Sequence, residues 1–492
     1  MNWEPLSINS FPAWALLQDV TFNNVALSEV AGKGIGITTS VEVETNTDTV
    51  TPIKFLEIPY DLVLSSEAVD EYAKVDQNFK ALLEKMGRQS TRLDIMLYLL
   101  PHMVQAAAAT DAVSNHTRRC ASTPWTEYLR FLPSGVPVPT LWSEEEKHLL
   151  NGTSLEESLQ AKLATLDKEF NEFREKSSEL PFWNSFLWES PTACSLAHWV
   201  LADAWYRSRC LELPRSGASM VPALDMVNHS TNPSAYYEEN NAGGVDLLMR
   251  PTSKLSGGEE ISISYGEAKS PAEMLFSYGF IDQSSSIREM VLNLPMVEDD
   301  PLSMAKAHIF NGPRVVTLTA TDGSVTWTSP FALLMCLNEE DGLEFRVLQD
   351  SEGNRQLRMF WLEADVTDQA HDVQSLVQDH LLLPVFQLRV VVTLHDAVAT
   401  QLGHLESHLD LPNENNASSV RSSCRDASEL LKRIERGVLA GAMETLDNEK
   451  MGLLQDDRVV AYLGSMEASE NGRDENNDAE IAPVSDGEDD FS

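Results

Sequence analysis

In the first 285 residues, strand-forming residues fall into two separated segments, 22–65 and 219–265, with helical texture between them. In the first, Val41, Val43, Phe55, Ile58 and Val63 favour strands, and Gly32, Gly34, Gly36, Pro52 and Pro59 punctuate them. In the second, Val245 to Met249 leads to a Gly257-Gly258 turn. Ile261, Ile263 and Tyr265 then alternate with Ser262 and Ser264, which puts three large residues on one face of a strand. Neither segment holds enough strands to be stable alone, so the two are expected to combine into one domain around a helical insertion.

From about 66 to 210 the spacing predicts helices. Leu155, Leu159, Leu163, Leu166, Phe170 and Phe173 step by three or four residues, with Ser154 and Glu157 in capping-box positions at the start. A second apolar segment, Ser195 to Leu211, carries Trp199 and Trp205. Beyond 285, strand-like pieces near 314–318 and 357–361 precede helical stretches at 386–407 and 424–447. The last stretch has an apolar stripe of Leu430, Leu431, Ile434, Leu439 and Met443. Glu467 to Ser492 holds ten acidic residues, one Arg and almost nothing apolar, so disorder is expected there. The predicted fold class is α+β. Its parts are a β-rich domain split between 20–80 and 201–285, a helical insertion at 81–200, a mostly helical region at 286–465 and an acidic tail at 466–492.

Charge narrows the partners. The 492 residues carry 36 Lys+Arg against 76 Asp+Glu, a formal net charge of −40. That balance argues against a nucleic-acid backbone or an anionic membrane as partner and suits a basic protein. The five cysteines form no CxxC or CxC pair, so neither a disulfide framework nor a Cys-built metal site is indicated. The first residues lack a basic and apolar leader pattern, and the run Leu381 to Leu394 is interrupted by Gln387 and Arg389. A cytosolic or nuclear protein without a membrane span is therefore expected.

Three segments attract chemical interest. Gly32-Lys33-Gly34-Ile35-Gly36 has GxGxG rather than GxGxxG spacing, and the β-branched run that follows does not look like a helix start. A dinucleotide-binding turn is therefore not supported. Met220 to Ser230 is an apolar run closing on Asp225, Asn228, His229 and Ser230. Gly258 to Gly266 is followed by Met274 to Phe280, with Tyr265, Tyr278 and Phe280 as prominent aromatics. Singly, each reads as a turn, a cap or core aromatics.

In this order and spacing, however, Gly34-Ile35-Gly36, Ser208-Arg209, Pro222 to Ser230, Gly258 to Gly266 and Tyr278-Gly279-Phe280 resemble a known family. They look like the SET-domain protein methyltransferases of the Rubisco large-subunit methyltransferase-like group. Leu141 to Leu159 resembles that group's helical insertion. The resemblance covers most of 20–285 and extends more faintly to about 460, where the group carries an α-helical substrate-binding domain. It implies a SET domain, S-adenosylmethionine as cofactor and protein-lysine N-methylation. The absence of Cys-rich zinc modules favours the group's non-histone branch.

Carried over by residue, the resemblance places the backbone of Lys33, Gly34 and Ile35, together with Arg209, Asn228, His229 and Tyr278, against the cofactor. Tyr265 is the active-site tyrosine. Asp225 borders the substrate channel or supports its segment, and Phe280 helps line the channel. No metal is implied. Two alternatives stay open: a histidine acceptor on the same fold, or an inactive SET-like scaffold acting through its C-terminal helices and acidic tail.

These residue types suit methyl transfer. The accepting amine must be neutral, whereas lysine in water titrates near 10.4. A narrow apolar channel disfavours the ammonium and fixes the in-line approach. A tyrosine hydroxyl near the transfer point orients the amine, because its own pKa near 10 makes it a poor base at pH 7. The overall acidity would draw a lysine-bearing substrate toward the channel.

Overall fold

A computed structural model of the chain describes residues 5–44, 52–108, 120–189, 193–251, 253–296, 299–321, 323–349, 353–409 and 420–466. The acidic stretch 467–492 lies outside the described residues, so its expected disorder is not addressed. Two compact units emerge, one formed by 1–286 with 413–431 and the other by 287–412 with 432–492. Residues 420–431 group with the first unit.

In the first unit the two strand-rich segments interleave. β1 (Thr21–Phe22), β2 (Val25–Val30), β3 (Gly34–Thr39), β4 (Val43–Glu44) and β5 (Lys54–Ile58) come from the first segment. β6 (Cys210–Leu213), β7 (Gly217–Met220), β8 (Asn228–His229), β9 (Ala235–Glu239), β10 (Val245–Met249), β11 (Lys254–Leu255) and β12 (Glu260–Ile263) come from the second. One sheet runs β1-β5-β10-β9 and another β2-β3-β12-β8, while β4 pairs with β11 and β6 with β7. Each four-stranded sheet therefore needs both segments, as the strand count demanded. Phe55, Leu56, Ile37, Leu247 and Ile261 are fully buried between these strands and the helices. Ser262 is buried as well as Ile261 and Ile263, because β12 is flanked by β3 and β8 and covered on both faces.

The insertion is helical. α1 (Thr91–Ala108), α2 (Leu155–Ser178) and α3 (Leu196–Arg209) bury Leu97, Leu99, Leu166, Phe173, Trp199 and Trp205. Both tryptophans satisfy their ring N–H, Trp199 on Glu169 (3.2 Å) and Trp205 on the Pro133 carbonyl (2.9 Å). Truncating either to Ala should cost about 3–5 kcal/mol, the usual range for a buried large aromatic. α2 begins where the periodicity placed it. Ser154 already has helical φ/ψ (−60°, −17°), and the turn before it is tied by Gly152 N–H on the Glu156 carboxylate (2.7 Å). α4 (Pro271–Tyr278) closes this unit's strand-rich region. Its Leu275 packs with Trp142, Leu150, Leu155 and Leu159 and with Cys424 and Leu431 of the returning stretch.

The second unit is mostly helical but carries two three-stranded sheets. β13 (Glu289–Asn293), β14 (Val315–Thr321) and β15 (Ser324–Thr328) form one; β16 (Leu343–Gln349), β17 (Arg355–Trp361) and β18 (Ala364–Asp365) form the other. β14 and β17 are the strand-like pieces visible in the sequence. α5 (Leu383–Ser407) and the part of α6 (Ser422–Leu453) beyond 431 bury Phe386, Leu394, Val398, Leu439 and Leu446 against them. Among the described residues no helix is long and apolar enough to cross a membrane.

Candidate active site

The glycine motif builds a tight hairpin between β2 and β3, with Val30 opposite Gly34 and Ser28 opposite Gly36. Gly32 and Gly34 take φ of +74° and +80°, which other residues adopt only under strain. Gly36 is needed for a different reason. A Cβ there would lie 2.7 Å from Asn228 Nδ2 and 2.8 Å from a Val30 methyl. The hairpin and the Asn228-His229 segment are thus in direct contact. Asn228 Nδ2 reaches the Glu260 carboxylate (2.9 Å) and the Ile35 carbonyl (3.5 Å), and Lys33 Nζ pairs with the other oxygen of Glu260 (2.7 Å).

β8 runs parallel to β12, matching Asn228 with Ser262 and His229 with Ile263. Just past this pairing the Tyr265 N–H donates to His229 Nδ1 (3.1 Å). That assigns the proton to Nε2, which faces Asp282 Oδ2 at 3.3 Å. Burial lowers the His229 pKa, with Asp282 opposing, so the imidazole is neutral at pH 7. Its ring packs on Tyr265 and Phe280, with centroids 5.2 and 6.1 Å away.

Beside this segment lies a cavity of about 470 Å³ whose walls include Arg209, Asp225, Val227, Tyr265 and Tyr278. Tyr265 donates its hydroxyl proton to the Val227 carbonyl (2.8 Å), and Tyr278 donates to the Tyr265 carbonyl (3.3 Å). The two rings lie 4.7 Å apart. Burial raises both phenols, Tyr265 strongly and Tyr278 to about 12. Two residues before Asp225, Ala223 is a non-glycine residue at φ +69°, an uncommon backbone state of the kind found at functional sites. The Asp225 side chain is fully buried; Tyr128 donates to one carboxylate oxygen, and Arg209 lies 3.3 Å from the other and 2.9 Å from the Asp225 carbonyl. Burial raises the Asp225 carboxyl. Arg209 Nε is buried and meets no acceptor among the described residues.

The expected site residues therefore divide into two adjoining groups. Arg209, Asp225, Tyr265 and Tyr278 share the cavity wall. Lys33, Gly34, Ile35, Asn228 and His229 form the hairpin side, joined to it through the His229–Tyr265 bond. Phe280 lies outside the cavity lining and is 37% exposed, within ring contact of His229 and Tyr278. Sequence reasoning missed Tyr206, Tyr237 and Cys210, which also line the cavity. Tyr237 sits mid-strand on β9, and Cys210 opens β6 directly after Arg209. Only the neighbourhood of Cys210 and Tyr206 to the Ser208-Arg209 pair offered a signal.

No protein-family model matches the chain. Its relatives include SET domain-containing protein 8 of Schizosaccharomyces pombe, 27% identical over 417 residues, covering 83% of this chain and 89% of the relative. The chloroplastic ribulose-1,5 bisphosphate carboxylase/oxygenase large subunit N-methyltransferase of Pisum sativum is 26% identical over 300 residues, 58% of this chain and 54% of that protein. The crystal structure of the SET domain of LSMT bound to MeLysine and AdoHcy superposes with a TM-score of 0.64 at 19% identity, over 91% of this chain and 93% of that one. The chain thus shares the fold of the LSMT SET domain and is similar in sequence to SET-domain proteins of the Rubisco large-subunit methyltransferase-like group.

Proposed function

We propose that this chain is an S-adenosylmethionine-dependent protein-lysine N-methyltransferase acting on a non-histone protein. One observation carries the reading: the Tyr265 hydroxyl is committed to the Val227 carbonyl at the wall of the cavity, beside the Asn228-His229 segment. In that arrangement the phenol's proton is occupied and its lone pairs are free to receive an N–H, so Tyr265 orients an amine. Its raised pKa removes it as a base at neutral pH, which agrees with orientation over proton abstraction.

The chain's residues fit the cofactor. Arg209 presents a buried N–H without an acceptor among the described residues, a donor suited to an anionic or carbonyl group. The hairpin around Gly34 offers backbone with no Cβ in the way, and neutral His229 is held rigid by Tyr265 and Asp282. Lys33, Gly34, Ile35, Arg209, Asn228, His229 and Tyr278 would hold the cofactor, which supplies a methyl group on a sulfonium.

The rest of the chemistry is positional. The Tyr265 and Tyr278 rings, tilted by 35° and 4.7 Å apart, form an aromatic wall that disfavours an entering ammonium and lowers its pKa. Asp225 is already engaged by Tyr128 and Arg209, so it fixes Arg209 and the channel floor. A relative's printed activity supports the lysine acceptor: a Xenopus laevis protein 27% identical over 274 residues is named as an N-lysine methyltransferase. Incubation with labelled S-adenosylmethionine and a cell extract, followed by mass spectrometry of the labelled protein, tests the proposal. Label on a lysine of a non-histone protein is expected. Label on histidine, or no transfer, would overturn it.

A further inference from the structure

Behind the cavity lies a network of buried charge. Asp203 on α3 has a fully buried side chain that receives Arg207 Nε, Lys162 Nζ and Arg92 Nε, each at 2.8 Å. Arg92 also grips Glu169 through bonds of 2.8 and 3.0 Å. Burial alone would raise the Asp203 carboxyl, but Arg207, Lys162 and Arg92 outweigh it and hold it below the usual range. A buried carboxylate is costly to desolvate and is weak evidence for stability as such, so this one invites a role beyond stability.

Arg207 supplies that role. Its terminal nitrogens leave the network in the other direction, one donating to the Phe276 carbonyl and the other to Thr140 Oγ1 (2.8 Å). Its guanidinium also covers the Phe276 ring at 4.7 Å. Phe276 lies in the last turn of α4, two residues before Tyr278, where helix carbonyls lack intrahelical partners and favour a cation. The helix then stops at Gly279 (φ +84°), where a Cβ would come within 2.6 Å of the Pro137 backbone. The end of α4 is therefore pinned by Arg207 on one side and by Pro137 on the other.

We propose that Arg207, held by Asp203, is a positioning residue for methyl transfer: by fixing the end of α4 it sets the Tyr278 ring against Tyr265. Arg207 is not part of the cavity lining and acts through Tyr278. The inference rests on the proposed activity, so its test has an arm that does not need turnover.

In the full chain, Arg207→Gln should lower kcat about tenfold while KM for the cofactor stays within about twofold. In a Tyr278→Ala background the same change should add less than about twofold, because the effect passes through that ring. Effects that simply multiply would overturn the proposal. Thr140→Val, which removes one arm and leaves the buried charges intact, gives a milder version of the same cycle if Arg207→Gln folds poorly. Independently, amide exchange at residues 275–280 should quicken about tenfold in Arg207→Gln. Unchanged exchange would overturn the positioning role even in an active enzyme. Faster exchange in Arg207→Gln, with no activity in the wild-type chain, would instead fault the methyltransferase reading and leave the positioning intact.

Discussion

The two sides of the candidate site are built differently. On the hairpin side, contacts run through main chain and small residues: Gly34 for its φ, Gly36 for its missing Cβ, and Asn228 against the Ile35 carbonyl. On the cavity side, large side chains hold one another: Tyr265 on Val227, Tyr278 on Tyr265, and Arg209 with Tyr128 on Asp225. A side made of backbone tolerates changes of residue type that leave its path intact. A side made of interlocked side chains does not, because each removal strands a buried partner.

The largest effect is expected on the cavity side. Arg209→Ala leaves the Asp225 carboxylate buried without its cationic partner, a cost of about 3–5 kcal/mol. Thermal unfolding should show a large drop and calorimetry no cofactor binding. A variant of native stability would break the contrast. On the hairpin side, Gly36→Ala drives a methyl against Asn228 and Val30, an overpacking cost of about 1–3 kcal/mol. Cofactor affinity measured by titration should fall about tenfold for about 1.4 kcal/mol of that cost.

His229 joins the two sides and makes their junction sensitive to acid. Its folded pKa is depressed below the usual 6.5, so its contribution to stability is complete above that value and is lost as pH falls below it. Melting temperature should therefore decline from pH 7 to pH 5, and by less in His229→Gln. An equal decline in both chains would remove His229 from the account. The smallest effect belongs to Lys33→Ala. Lys33 is 43% exposed in its pair with Glu260, a class of contact worth about 0–1 kcal/mol, and its expected part at the site is backbone. Cofactor affinity within about twofold of wild type is expected, and a collapse would show that the hairpin side also works through a side chain.

The same contrast explains what is legible in the sequence. Backbone devices leave glycines and short polar signatures, so the hairpin and the Asn228-His229 segment stand out in the string of residues alone. Tyr265 and Tyr278 stand out because they sit in compact motifs. Tyr237 does not: its role comes from a strand register, Leu247 opposite Tyr237, that pairs β9 with β10 and that no local pattern announces. Arg207 is equally hidden, since one Arg on a helix reads as surface until Asp203 and Phe276 close around it. Strand count predicts that the two strand segments share a domain, but their interleaving within each sheet shows only in the structure. The sheets of the second unit show in the sequence only as fragments, because β13, β15 and β16 are partly solvent-facing and carry mixed residues.

The central claim is that Tyr265 orients the accepting amine through its hydroxyl. Tyr265→Phe keeps the tilted ring contact with Tyr278 and removes the oxygen bound to Val227. Single-turnover methyl transfer, with cofactor binding measured alongside, is the direct test. The account predicts a rate lower by about a hundredfold with cofactor affinity nearly unchanged, within the usual range for a positioned polar group. A Tyr265→Phe chain that transfers methyl groups at the wild-type rate would contradict it.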